Sequence, residues 1–164
     1  MQGKFKVNMD RLPILIKDGS FVLGQSKSIE KYLSHTFGFM GSTLEETGTI
    51  DMIYEHVRDI RQKLVDAKAG KTGDAAEEAK AKFYATELPK WLAKLEHVVG
   101  SPAFAVGSKR SLADVAIYFS LTETFDNAAG VAKALTGLPK LSGILAAVTK
   151  DVAGWVAARP VTAF

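Results

Sequence analysis

Gln25 and Ser26 stand where a short apolar run gives way to helical spacing. A helix start leaves its first backbone N–H groups without internal partners and carries the positive end of the helix dipole. A carboxylate is well received there, and a serine hydroxyl adds a donor. Taken alone, Ser26 reads equally as a plain helix cap, with Ser28 as the other candidate. Leu12 and Pro13 open the preceding apolar run. Proline has no N–H to give to a ladder, so it must sit first in a strand or on an edge, and an X–Pro bond reads as trans by default. Asp59 falls mid-helix, where an acid is ordinarily solvated and can pair with Lys63 one turn on. Ser111 and Asp114 have the spacing of a capping box, a stabilising device of about 1 kcal/mol with no catalytic role. His35, His56 and His97 are too dispersed to ligate a metal, and neither a zinc-helix motif nor a nucleophile elbow accompanies them. Trp91 and Trp155 read as packing residues.

These residues need elements to hold them. Leu12–Lys17 is a β-prone run, Asp18-Gly19 is a turn pair, and Phe21–Leu23 is a second run, which together predict a hairpin. Helical spacing follows, with Ile29, Tyr32, Leu33 and Phe37 on one face. From Thr43 onward the segments read as helix. The first spans about 44–69 with a stripe at Ile50, Ile53, Tyr54, Val57, Ile60, Leu64 and Val65. Gly70–Gly73 breaks it. The second runs from an N-cap at Asp74 to about Val99, interrupted by Pro89. The third opens at Ser111 and buries Leu112, Val115, Ala116, Phe119 and Phe125. Shorter helices are predicted from about Val131, Pro139 and Asp151. A lone hairpin is marginal in water, so the first 40 residues need support from elsewhere.

Composition narrows the class. The chain has 164 residues, 47% hydrophobic and 24% charged, a globular balance. Cysteine is absent, which removes disulfides, thiolate metal sites and a cysteine nucleophile. A net charge of +3 with lysines interleaved among acids argues against a nucleic-acid surface. No unbroken run of about 18 apolar residues predicts a membrane span, and the N-terminus carries no secretory pattern.

Leu12-Pro13-Ile14-Leu15-Ile16-Lys17-Asp18-Gly19, followed by Leu23-Gly24-Gln25-Ser26-Lys27-Ser28-Ile29-Glu30-Lys31-Tyr32-Leu33, resembles the glutathione site of the cytosolic glutathione transferases. The family pattern is an apolar residue and cis-proline opening a strand, an acidic-Gly turn, then Gln-Ser at a helix start. Gly107 to Ala116 resembles the family's capping-box stretch, and Ile50 to Ile60 is similar to the matching helix of the sigma and alpha classes. The resemblance runs from about Lys4 to the end.

It implies an α+β, mostly α fold. Residues 1–40 would be a partial thioredoxin-like glutathione-binding domain, a β-hairpin plus helix, and 41–164 an all-helical transferase C-terminal domain. It also implies roles. Gln25 and Ser26 would receive the γ-glutamyl carboxylate. A cis Leu12–Pro13 bond would turn the Leu12 backbone toward the cysteinyl unit. Asp59 would reach the γ-glutamyl ammonium across a homodimer, and Lys4 would meet the glycyl carboxylate. Ser111 and Asp114 stay structural. Glutathione is then a co-substrate whose thiolate adds to hydrophobic electrophiles, with no metal or other cofactor, in a cytoplasmic protein that binds neither nucleic acid nor membrane. The family's catalytic Tyr, Ser or Cys belongs to a strand-helix-strand segment expected upstream of Met1, so activity is expected to be impaired in this chain. Two alternatives are a non-catalytic structural or assembly subunit of the same fold, and a helical partner-binding domain.

Overall fold

A computed structural model describes residues 2–160, apart from the side chains of Gln2 and Lys4. The chain forms two compact units, Met1–Met40 and Gly41–Phe164.

In the first unit a 3-10 segment, Gln2–Asn8, precedes two antiparallel strands, β1 (Ile14–Lys17) and β2 (Phe21–Gly24). Their register pairs Ile14 with Gly24 and Lys17 with Phe21. Asp18 and Gly19 both take positive φ, 51° and 70°, as a tight primed turn requires. Helix α1 (Ser26–Thr36) follows directly, and the Phe21 ring meets that of Tyr32 at 5.2 Å. Phe37 lies just past the helix end and is exposed rather than on its packing face.

The second unit opens with α2 (Leu44–Lys68). Thr43 caps it by accepting from the Glu46 N–H at 3.2 Å, while the Glu46 carboxylate takes the Ser42 N–H at 2.7 Å. These two reciprocal bonds fix where the helix starts. Ile50, Ile53, Tyr54, Val57, Ile60 and Leu64 are buried. Val65, expected on the same stripe, is exposed, because the step from Leu64 turns it off the buried face. Helix α3 (Gly73–Lys82) starts after Thr72, so Asp74 lies in its first turn and is not the cap. A π-helical turn at Phe83–Glu87 joins it to α4 (Leu88–Val98), with Pro89 in the first turn of α4. The missing proline N–H is thus absorbed by rewinding one turn, without ending the helix.

Helix α5 (Leu112–Phe119) runs into a second π turn, Ser120–Thr124. It packs between α2 and α7 and buries Leu112, Ala113 and Ile117, whereas Val115 and Phe119 are exposed. It is therefore two-sided, with Val115 and Phe119 off the buried face on which they were expected. Helix α6 (Ala128–Ala134) is followed by α7 (Pro139–Ala158), one continuous helix through Asp151, where a new start was expected. Glu96 of α4 caps α7 by accepting the Lys140 and Leu141 N–H groups at 2.8 and 2.9 Å. By length and mean hydropathy, 1.3, α7 is long and apolar enough to cross a membrane, although it holds no unbroken run of about 18 apolar residues. It nonetheless carries Lys140, Lys150 and Asp151, and Leu141, Ile144 and Val148 are buried.

Candidate functional site

The hairpin register brings the two N-terminal motifs together. With Ile14 opposite Gly24, Leu12–Pro13 and Gln25–Ser26 emerge from the same end of the ladder, where cross-strand neighbours are about 5 Å apart. The Leu12–Pro13 bond is cis, as the resemblance implied and against the default for an isolated X–Pro pair. Leu12 is 74% exposed, and Gln25 and Ser26 are also exposed.

Neither serine caps α1, contrary to expectation. Gln25 holds the N-cap position at φ 68°, and it makes no side-chain cap hydrogen bond. Ser26 and Ser28 lie inside the helix. The cause is the short link: β2 ends at Gly24, so one residue must make the whole strand-to-helix change, and it does so in the left-handed region that non-glycine residues seldom adopt. The start of α1 therefore presents a helix dipole end to which no side-chain cap is fitted.

Asn8, which no sequence signal singled out, organises the other motif. Only 3% exposed, it donates from Nδ2 to the Arg11 carbonyl at 2.9 Å and the Pro13 carbonyl at 3.0 Å. It also fills the space above Gly24, where an added Cβ would come within 2.5 Å of the Asn8 Cβ. One buried amide thus ties the segment before β1 to the end of β2. Met9 and Asp10, the next two residues, take φ of 53° and 57°. Two consecutive left-handed non-glycine residues are a local cost that the surrounding bonds must offset. The side chain of Lys4 lies outside the described residues.

Asp59 is exposed on α2 and lines a cleft of about 120 Å³ in the helical unit, with His56, Ile60, Trp91, Lys94, Leu95 and Val98. Lys63, its expected partner, instead places Nζ 5.8 Å from the centroid of the Trp91 ring, and Lys94 places its own at 4.4 Å. Trp91 is a half-buried cleft wall. Trp155 is 63% exposed beneath the Arg159 guanidinium, so it is not the packing residue its type suggested. Among the described residues no three His, Asp or Glu side chains are placed to hold a metal.

Asp114 is 0% exposed. Its Oδ2 accepts the Ser111 N–H at 2.9 Å and the Ser111 hydroxyl at 2.7 Å, and its Oδ1 accepts the Ala105 N–H at 2.8 Å. Every one of these bonds is internal scaffolding.

The glutathione S-transferase C-terminal domain family model matches residues 58–159. Glutathione S-transferase P 1 of Xenopus laevis is 38% identical over 102 residues, 60% of this chain and 46% of that protein. Glutathione S-transferase S1 of Drosophila melanogaster is 30% identical over 158 residues, 94% of this chain and 62% of that protein. The chain thus spans about half to three-fifths of these relatives' length. The solved pi-class glutathione S-transferase of Onchocerca volvulus superposes with a TM-score of 0.73 at 26% identity, covering 99% of this chain and 79% of that one.

Proposed function

The chain belongs to the glutathione S-transferase family, and on that premise we propose that it binds glutathione as part of a transferase that adds the glutathione thiolate to hydrophobic electrophiles. The observation that carries this reading is the start of α1. An exposed Ser26 follows a left-handed Gln25, no side-chain cap is fitted, and the register sets Leu12–Pro13 beside it. A pure scaffold has no use for an uncapped, strained helix start, whereas a ligand carboxylate would satisfy it.

In this reading the γ-glutamyl carboxylate lies at Gln25 and Ser26, and the peptide unit of the ligand runs along Leu12 and Pro13. Lys4 would take the glycyl carboxylate. Asp59 would receive the γ-glutamyl ammonium of a ligand held by a second copy, making the working unit a homodimer. Glutathione is the co-substrate and no metal takes part. A free thiol with a pKa near 8.5 is mostly protonated at neutral pH, so conjugation needs a group that favours the thiolate. We assign that role to no residue of 1–164.

Titrating glutathione into the purified chain by calorimetry tests the binding half. Saturable binding that Ser26→Ala weakens supports the assignment; binding indifferent to Ser26 overturns it. Mixing the chain with glutathione and a chlorinated dinitrobenzene tests the rest. Turnover at a rate typical of the family would show that one of these 164 residues activates the thiol after all.

A further inference from the structure

The cleft between α2 and α4 has a chemical pattern that the reading above does not use. Its floor is apolar, formed by Ile60, Leu95 and Val98, and Trp91 forms a wall. Its volume, about 120 Å³, is below that of a drug-sized site, so it suits a small ligand that stays partly in solvent. Asp59 and Lys94 both line it, yet among the described residues no ion pair joins them, and Lys94 rests on the indole face instead. Opposite charges on one cleft that do not neutralise each other leave room for a ligand that carries both signs. A simple carboxylate would satisfy Lys94 but face Asp59, and a simple amine would do the reverse. Lys63 is also directed at the indole.

We propose that this cleft binds an α-amino acid with an aromatic or large apolar side chain, the ammonium on Asp59, the carboxylate on Lys94 and the side chain against Trp91, Ile60 and Leu95. The site is lined wholly by residues of the helical unit. It shares with the proposed glutathione reading only the capacity of Asp59 to accept an ammonium.

The test uses the full chain carrying Trp155→Phe, so that Trp91 is its sole tryptophan. Its fluorescence is titrated with L-phenylalanine, phenethylamine and 3-phenylpropanoate. Phenylalanine is expected to bind about fivefold more tightly than either single-charge analogue, the size of one exposed ion pair. Lys94→Met should erase its advantage over the amine, and Asp59→Asn its advantage over the propanoate. Ser26→Ala should leave phenylalanine binding intact while weakening glutathione, which separates failure of this proposal from failure of the glutathione reading. Equal affinity for all three compounds, no binding of phenylalanine, or its loss in Ser26→Ala would each overturn the proposal. Both charged side chains are exposed, and unchanged helical circular dichroism of the variants confirms that the fold persists.

Discussion

At the scale of single residues, Ser26 and Asp114 show how similar sequence signals diverge. Both stand at a helix start, and both read as capping elements from spacing alone. Asp114 is a cap and more, because its third bond, to the Ala105 N–H, comes from a loop that no helix motif foretells. Replacing it by Ala strands two buried N–H groups and a hydroxyl, so the cost should be about 3 kcal/mol and not the roughly 1 kcal/mol of an ordinary cap. Chemical denaturation measures it; a loss under about 1 kcal/mol would mean that water or Arg110 takes over. Ser26 is no cap, so Ser26→Ala should leave stability nearly unchanged. The same change should lower glutathione affinity about fivefold, the worth of one hydrogen bond, in a calorimetric titration.

At the scale of elements, close approaches decide what substitutions do. In α7, an added Cβ at Gly143 would lie 2.6 Å from the Pro102 Cβ and carbonyl, whereas at Gly154 nothing lies within 4 Å. Glycine to alanine in a free helix stabilises by about 0.5–1 kcal/mol, and overpacking against backbone costs about 1–3 kcal/mol. Gly154→Ala should therefore raise the melting temperature and Gly143→Ala lower it; equal shifts would remove the packing argument. In the hairpin, Asn8→Ala deletes both bonds that hold Arg11 and Pro13. We expect faster amide exchange in β1 and β2 and weaker glutathione binding, with α2 to α7 unaffected. A variant with unchanged exchange would show that the ladder alone holds the segment. The rewound turn before Pro89 belongs to this scale too. The sequence shows that the ladder must be disturbed there, but the choice between a kink and a π turn depends on how Phe83 and Tyr84 pack.

At the scale of the molecule, the core is unevenly shared. Of the buried apolar side chains among the described residues, Met40 is the one contributed by the first unit, and the rest fall between Ile50 and Val148. Residues 41–164 should accordingly fold alone with a cooperative thermal transition; a non-cooperative melt of that fragment would contradict the division. The helical unit also carries the described residues' clearest titration linkage. The Asp126 carboxylate takes Lys80 at 2.7 Å and the Tyr84 hydroxyl at 3.0 Å. The hydrogen bond from Lys80 holds Asp126 below its ordinary value of 3.8, and the bond to Asp126 holds Lys80 above 10.5. Burial, reinforced by Asp126, keeps Tyr84 protonated to high pH. The depressed carboxylate stabilises the fold above its unfolded pKa and ceases to as pH falls through the native one. The raised ammonium stabilises below its unfolded pKa and is lost as pH rises through the native one. Asp126→Asn should flatten both limbs of a stability–pH curve, and unaltered limbs would place the dependence elsewhere. The sequence by itself determined the hairpin, the main helices and the family, because period, turn pairs and capping spacing are local and survive without neighbours. It also displayed Leu12–Pro13 and Gln25–Ser26 as motifs, which the hairpin register sets at one end of the ladder. What only the tertiary structure decided were contacts between residues distant along the chain: Asn8 over Gly24, Glu96 capping α7, the third partner of Asp114 and the cleft that joins Asp59 to Trp91 and Lys94. Such partners are set by how elements pack, and packing leaves no period in the sequence to read.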